Sequence, residues 1–186
     1  PAGLLPRRSF TVTFDDGLCD ALEPLLRHGS IGPLMFVCSQ EAGRTAHWLG
    51  GEPVLDWDGV RRLAAAGVDI GSHTRRHPRL TQLDTAELAD DLAGSRAEVR
   101  AEVPGAVDLL AYPYGDHDAR VRAAAVVAGY RGAFTTERGP NGAGTDLHLL
   151  RRVSVHAADG ALAVAWKAAT GESLPRWWLR LRGAEG

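Results

Sequence analysis

The chain has 186 residues, of which 45% are apolar and 24% charged, and its formal charge is −2. At roughly 100–200 residues per domain, this length predicts one domain over residues 1–186. The near-neutral charge argues against nucleic acid as a partner, because proteins that bind phosphate backbones carry a clearly basic face, and no apolar run approaches the ~18–20 residues of a membrane span.

Strand and helix patterns alternate along the sequence. Residues 9–14 (SFTVTF) and 34–38 (LMFVC) have the β-branched, aromatic and apolar content of strands, with a helix predicted between them over 18–28. The same patterns predict helices over 56–66, 84–103, 118–128 and 161–169, and strands over 68–71, 109–112, 132–135 and 149–155. Such alternation indicates parallel strands with helices outside, in about six or seven units, and loops over 40–53 and 137–146.

Two adjacent carboxylates follow the first predicted strand, in the segment TFDDG at residues 13–17. Successive strand residues point to opposite faces, so Asp15 and Asp16 converge on one site only where the strand ends and turns. Gly17 permits that turn without steric cost. The alternative interpretation is a helix N-terminus, at which one of the two aspartates caps the helix over 18–28.

Two histidines four residues apart follow the strand at 68–71. On a helical turn, His73 and His77 would share one face, the spacing at which two imidazoles bind one metal ion. Thr74 occupies the place where an H-E-x-x-H zinc protease has its glutamate, which excludes that class. A pair of surface histidines in a loop is the alternative.

A third segment, LAYPYG at residues 110–115, again follows a predicted strand. Pro113 fixes its own φ and Gly115 allows a tight turn, so a rigid backbone N–H here is suited to a developing oxyanion. The alternative is an aromatic turn that packs on the core.

Together the three segments predict a catalytic metal site. One carboxylate and two histidines leave coordination positions open for water and substrate, and the second carboxylate can act as a base. In a parallel α/β barrel, such groups gather at the carboxyl ends of the strands. The expected cofactor is a divalent cation, Zn²⁺ first, with Co²⁺, Mn²⁺, Ni²⁺ or Fe²⁺ as alternatives.

The sequence resembles the polysaccharide deacetylases, which are the NodB-homology or carbohydrate esterase family 4 proteins. The resemblance rests on TFDDG at 13–17, SHTRRHPRL at 72–80 and AYPYGDHDARV at 111–121. It implies an α/β fold, a distorted, TIM-barrel-like (β/α) barrel of about seven or fewer units in a single NodB-like domain. It also implies metal-dependent removal of an acetyl group from an N-acetylated sugar, oligosaccharide or glycoconjugate.

The resemblance also implies roles for individual residues. Asp15 takes the position of the catalytic base, and the backbone N–H of Tyr114 takes that of the oxyanion donor. The metal-ligand positions fall on Asp16, His73 and His77. For the general acid, His156 is preferred because it ends a predicted strand, and His148 is the competitor.

The sequence departs from the family pattern in two places. Ala111 stands where many members have an arginine that orients the base, and residues 134–138 (FTTER) replace the Asp-Trp motif. A carbohydrate-binding pseudoenzyme is therefore kept as an alternative. A hydrolase of another small amide, such as a deformylase, is a further alternative because the same chemistry would serve it.

Two weaker signals concern aromatic residues. Trp48 lies in a predicted loop and is the best candidate for stacking on a sugar, although core packing is favoured for every tryptophan. The segment 176–182 (RWWLRLR) is predicted to pack on the barrel with its arginines at the rim, and contact with an anionic glycolipid or membrane surface is the alternative. Since no leader is visible, we expect a cytoplasmic location over a secreted one.

Overall fold

The computed structural model describes residues 9–28, 32–156 and 158–172, so the predicted C-terminal segment 176–182 lies outside the described residues. The helices are α1 (Leu22–His28), α2 (Trp57–Ala65), α3 (Thr85–Glu102), α4 (Ala119–Val127) and α5 (Ala161–Thr170). The strands are β1 (Thr13–Phe14), β2 (Leu34–Val37), β3 (Thr45–Ala46), β4 (Glu52–Pro53), β5 (Asp69–Ser72), β6 (Leu109–Ala111) and β7 (Gly132–Phe134). In these ranges, no helix has the length and apolar character needed to cross a membrane.

Five parallel strands form the main sheet in the order β1-β2-β5-β6-β7, and β3 and β4 form a separate antiparallel hairpin. Phe36 of β2 and Phe134 of β7 are three strands apart, which is about 14 Å in a flat sheet. Their ring centroids are 5.3 Å apart, so the sheet is strongly curled. The predicted distorted (β/α) barrel is confirmed.

Alternate residues of the strands pack on the two sides of the curled sheet. Phe36, Ala111 and Phe134 fill the inside, whereas Met35 packs against the helices on the outside. Gly71 of β5 leaves room for this inner cluster, because a Cβ there would lie 2.8 Å from the Phe36 ring.

Polar caps set where the helices begin. Asp56 accepts a hydrogen bond from the Gly59 N–H at the start of α2. Asp84 accepts from the N–H of Glu87 while the Glu87 carboxylate accepts from the N–H of Asp84, a reciprocal pair that satisfies free donors at the start of α3. The predicted helices are confirmed to within a few residues, except that a 3₁₀ turn precedes α1.

The predicted strand over 149–155 is wrong. Leu150 makes a single parallel bridge to β7, and no strand is assigned in this part of the described chain. At Arg151, which follows Leu150, the backbone bonds to a side chain instead of a strand. The Asn141 amide oxygen accepts from the Arg151 N–H, and Asn141 Nδ2 donates to the Arg151 carbonyl. A side chain thus replaces the strand neighbour that the alternating sequence suggested.

The predicted loop over 40–53 contains the β3–β4 hairpin, with a 3₁₀ helix at His47–Leu49. The hairpin is joined to the end of β1, since the Leu55 N–H donates to the Gly17 carbonyl at 2.8 Å and Leu18 bridges Val54. The hairpin therefore lies beside the first motif.

Candidate active site

Three side chains from two motifs meet at the carboxyl ends of β1 and β5. Asp16, His73 and His77 each offer one ligand atom, and these atoms lie within 4.8 Å of one another. Asp16 Oδ1 is 3.6 Å from His73 Nε2 and 3.4 Å from His77 Nε2. The structure therefore brings the predicted metal-ligand residues together.

The turn that carries the two histidines is not helical, contrary to the helical spacing expected from the sequence. Thr74 and His77 have φ values of 71° and 58°, in the left-handed region. Asp16 and Tyr114 are the other non-glycine residues of the described chain with positive φ. All four belong to the three motifs, as expected where a site imposes backbone strain that the surrounding structure sustains.

A buried hydrogen bond orients His73. The Nδ1 atom lies 2.7 Å from the Ala111 carbonyl oxygen, which can only accept, so Nδ1 carries the proton and the Nε2 lone pair faces Asp16. Ala111 ends β6, so the strand that leads into the third motif positions a predicted metal ligand of the second.

Asp15 is held by an arginine from far along the chain. Arg152 donates from Nη1 to Oδ1 at 2.7 Å and from Nη2 to Oδ2 at 2.8 Å, while its Nε donates to the Thr135 carbonyl. Burial raises the pKa of Asp15, but attraction to His73 and the hydrogen bonds and charge of Arg152 outweigh burial, so the pKa lies below its ordinary value. Asp15 is therefore an ionised acceptor with a fixed orientation.

Sequence reasoning missed Arg152, although a signal was present. In the strand predicted over 149–155 (LLRRVSV), Arg152 would share a face with Leu150, which packs against the inner cluster in the structure. An arginine on a core-facing position needs a buried carboxylate partner. Arg152 thus orients Asp15, a contact that the side chain of Ala111 is too short to make.

The third motif places a strained backbone next to the histidines. Tyr114 has φ 59° in the turn Pro113–Gly115, and its ring makes a T-shaped contact with His77, with centroids 4.4 Å apart. The carboxylate of Asp116 accepts from Thr81 N–H and Oγ1 and ties down the end of this turn. Among the described residues, the Tyr114 N–H has no hydrogen-bond partner.

Burial also affects the pKa values of two of the predicted metal ligands. It lowers the pKa of His77 to about 3, and the neighbouring His73 contributes in the same direction, so the His77 imidazole is neutral at physiological pH. Burial raises the pKa of Asp16, although attraction to His73 and a hydrogen bond from Trp48 oppose the rise. A bound cation favours neutral imidazoles and an ionised carboxylate as ligands.

The histidine turn is clamped from outside. Arg75 donates from Nε to Glu98 of α3 at 2.9 Å and pairs with Asp90 on the same helix. Glu98 also accepts from Ser39 Oγ at 2.6 Å, and the Ser39 N–H donates to the Thr74 carbonyl at 3.1 Å. The network fixes the turn between α3 and the loop after β2.

The two candidate general acids lie apart from this centre. The His156 side chain is exposed and, in the described part of the chain, shows no contact with Asp15 or the three predicted ligand residues; its N–H donates to Asp159. His148 Nε2 lies 3.0 Å from the Tyr130 carbonyl, at the amino end of β7 and thus at the opposite edge of the sheet. The preference for His156 stays a prediction.

The chain is similar to known proteins over a range that includes the three motifs. The profile of the polysaccharide deacetylase family matches residues 3–133. A chitooligosaccharide deacetylase from Bradyrhizobium sp. (strain ANU 289) is 30% identical over 128 residues, covering 66% of this chain and 53% of that protein. The chain spans about half the length of the curated relatives it matches.

Solved structures share the fold. The Streptococcus pyogenes deacetylase PplD in complex with acetate has a TM-score of 0.71 and 20% identity, covering 82% of this chain and 66% of that one. A de-N-acetylase from Aggregatibacter actinomycetemcomitans has a TM-score of 0.72 and 18% identity, covering 87% and 75% of the two chains.

Proposed function

Because this chain belongs to the polysaccharide deacetylase family, we propose that residues 1–186 form one catalytic domain, a metal-dependent hydrolase that removes the acetyl group from an N-acetylated sugar or glycan. The observation that carries the proposal is the convergence of the Asp16, His73 and His77 ligand atoms within 4.8 Å. Asp15, next to Asp16 in the chain, accepts two hydrogen bonds from Arg152, which fix its orientation. This combination of ligands and base fits metal-assisted hydrolysis.

The donor types suit a divalent cation, and the separations of Asp16 Oδ1 from the two imidazole nitrogens match its bond lengths. Zinc–ligand bonds of about 2.0–2.2 Å at tetrahedral angles separate the ligand atoms by about 3.4 Å, and Asp16 Oδ1 lies 3.4 and 3.6 Å from the two Nε2 atoms. We propose Zn²⁺, while Co²⁺, Mn²⁺, Ni²⁺ and Fe²⁺ suit the same donor set. When bound, the cation would withdraw electron density from the amide carbonyl and make water easier to deprotonate.

The residues of the chain supply the remaining steps. A carboxylate oxygen of Asp15 accepts a proton as the water oxygen bonds to the acetyl carbon. The Tyr114 N–H donates to the carbonyl oxygen as it becomes an oxyanion, an interaction whose loss typically costs ~10²–10³ in rate. The C–N bond then breaks, and the leaving nitrogen takes a proton because an amine anion is too basic to depart. We propose His156 as that proton donor, with His148 as the competitor.

We propose oligomers of N-acetylglucosamine as the first substrates to test, because the Bradyrhizobium relative is a chitooligosaccharide deacetylase. Acetate release should require the cation, should stop with a chelator and should return on adding Zn²⁺. Asp15→Asn should retain the cation and lose nearly all turnover, whereas His73→Ala should lose both. If metal-loaded protein releases no acetate from any of a panel of N-acetylated sugars, the proposed activity is wrong.

One observation favours the carbohydrate-binding pseudoenzyme as a second candidate: the side chain of His156, the proposed proton donor, is exposed, and its backbone N–H donates to Asp159 rather than to the centre. Calorimetric binding of an N-acetylated oligosaccharide with no acetate release would favour the pseudoenzyme. Parallel reactions with N-formyl and N-acetyl glucosamine test the alternative small amide, because a larger rate on the formyl compound would indicate a deformylase.

A further inference from the structure

We infer that Trp48 is a positioning residue for the cation, through one hydrogen bond to Asp16 and one ring stack on His77. The inference rests on the proposed metal site and assigns a role to the β3–β4 hairpin. It concerns how tightly and in what geometry the site binds a cation.

The hydrogen bond determines which oxygen of Asp16 meets the cation. Trp48 Nε1 donates to Asp16 Oδ1 at 2.8 Å. The same Oδ1 is the atom that lies nearest the two imidazole nitrogens, 3.4 Å from His77 Nε2 and 3.6 Å from His73 Nε2. A carboxylate oxygen has two lone pairs, so the indole occupies one and leaves the other for the cation. Trp48 therefore fixes the rotation of the Asp16 carboxylate.

The stack compensates for a missing hydrogen bond on His77. A metal-binding histidine ordinarily donates from its second nitrogen to an acceptor that fixes the ring, as His73 does to Ala111. The Nδ1 of His77 is buried and has no hydrogen-bond partner among the described residues. The His77 ring instead lies parallel to the Trp48 indole, with centroids 4.4 Å apart and 6° between the planes. Packing thus orients His77 where hydrogen bonding does not.

The hairpin brings Trp48 to this place. Trp48 is the middle residue of the 3₁₀ helix at His47–Leu49, between β3 and β4, and the hairpin is joined to the turn after Asp16 through Gly17 and Leu18. Since one face of the indole is covered by His77, that face cannot stack on a sugar. On this face, Trp48 therefore contacts a predicted metal ligand instead of stacking on a sugar as the sequence suggested.

The test compares Trp48→Phe, which keeps an aromatic ring against His77 but removes the N–H donor, with Trp48→Ala, which removes both contacts. Trp166→Phe is the matched control, because Trp166 lies on α5 and is 41% exposed. Dissociation constants for Zn²⁺ and Co²⁺ are measured by competition with a chromophoric chelator. We expect affinity to fall about tenfold or more in Trp48→Phe, in line with the effects of outer contacts on metal ligands, and further in Trp48→Ala.

Two further readouts separate positioning from general stability. The Co²⁺ absorption spectrum should change in Trp48→Phe and not in Trp166→Phe. The rise in melting temperature on adding cation should shrink in the Trp48 variants, because bound ligand stabilises in proportion to the logarithm of its concentration over Kd. A purely structural role would instead lower the melting temperature equally with and without cation.

A Trp48→Phe protein with the wild-type Kd and an unchanged Co²⁺ spectrum overturns the inference. These measurements need no substrate, so they fail independently of the proposed function. If the wild type releases no acetate but Trp48→Phe binds the cation more weakly, the proposed hydrolase activity is contradicted and the positioning role of Trp48 is supported. If the wild type releases acetate but Trp48→Phe binds the cation as the wild type does, the hydrolase activity is supported and the positioning role of Trp48 is contradicted.

Discussion

Replacing Arg152 by Met removes both hydrogen bonds to Asp15, at 2.7 and 2.8 Å, together with a positive charge that helps to lower the pKa of Asp15. A hydrogen bond to a charged group contributes ~1.5–3 kcal/mol. The side chains of Arg152 and Asp15 are 16% and 28% exposed, so water replaces part of the loss. We expect the free energy of unfolding to fall by about 2 kcal/mol.

The effect on catalysis should exceed the effect on stability. Once free to rotate, Asp15 is misplaced relative to the attacking water, and a misplacement of about 1 Å can cost ~10²-fold in rate. The fall should be in kcat rather than KM, because the donors of Arg152 are directed at Asp15, Thr13 and Thr135 within the protein.

The assay is steady-state acetate release by metal-loaded protein. Arg152→Lys should be intermediate, because lysine keeps the charge but lacks the two-pronged geometry. Arg151→Met is the control, because Arg151 is exposed and its ion pair with Glu137 is long, at 3.8 Å. In an Asp15→Asn background, Arg152→Met should cost little more, because the pair acts as one unit. A wild-type kcat in Arg152→Met would refute the orienting role.

Three other substitutions test the framework of the site. Gly94→Ala ordinarily stabilises a helix by ~1 kcal/mol, but here the added Cβ would collide with the Arg75 guanidinium. Calorimetry should therefore show that Gly94→Ala lowers the melting temperature of the wild type and raises that of the Arg75→Ala protein. A change of the same sign in both backgrounds would contradict the clamp. Gly71→Ala would crowd the Phe36 ring at 2.8 Å, and overpacking of ~1–3 kcal/mol should lower the melting temperature by several degrees, so unchanged stability would contradict the inner packing. Burial raises the pKa of Asp91 to about 6, so the folded carboxyl holds its proton more tightly than the unfolded one and stability falls as pH rises from the ordinary value of 3.8 through about 6. Asp91→Asn should therefore raise the melting temperature at about pH 8 and not at about pH 4, whereas equal gains at both would contradict the assignment.

Local patterns were enough to place most of the fold. The caps at Asp56 and Asp84 depend on residues three positions away, and the helices begin where those residues predict. The strand-end motifs were equally informative, because the carboxyl ends of parallel strands meet at one edge. The left-handed φ of His77 was not predictable, and it explains why a four-residue spacing brings the histidines together without a helix.

Contacts between distant segments were not predictable from local patterns. Arg152 and Asp15 are 137 positions apart, and they meet only because the sheet curls until β7 approaches β1. Trp48 and Asp16 are 32 positions apart, and their contact depends on a hairpin whose two-residue strands gave no alternating pattern. In both cases the sequence shows the residue types but not the curvature or the loop that pairs them.

The central claim is that Asp16, His73 and His77 hold one divalent cation. Metal content after equilibration with Zn²⁺ tests this most directly, measured by elemental analysis and titration on the wild type, each single alanine variant and His28→Ala, an exposed histidine on α1. We expect about one equivalent in the wild type and in His28→Ala, and little retained by any ligand variant. Stoichiometric, tight binding that survives loss of His73 or His77 would contradict the site.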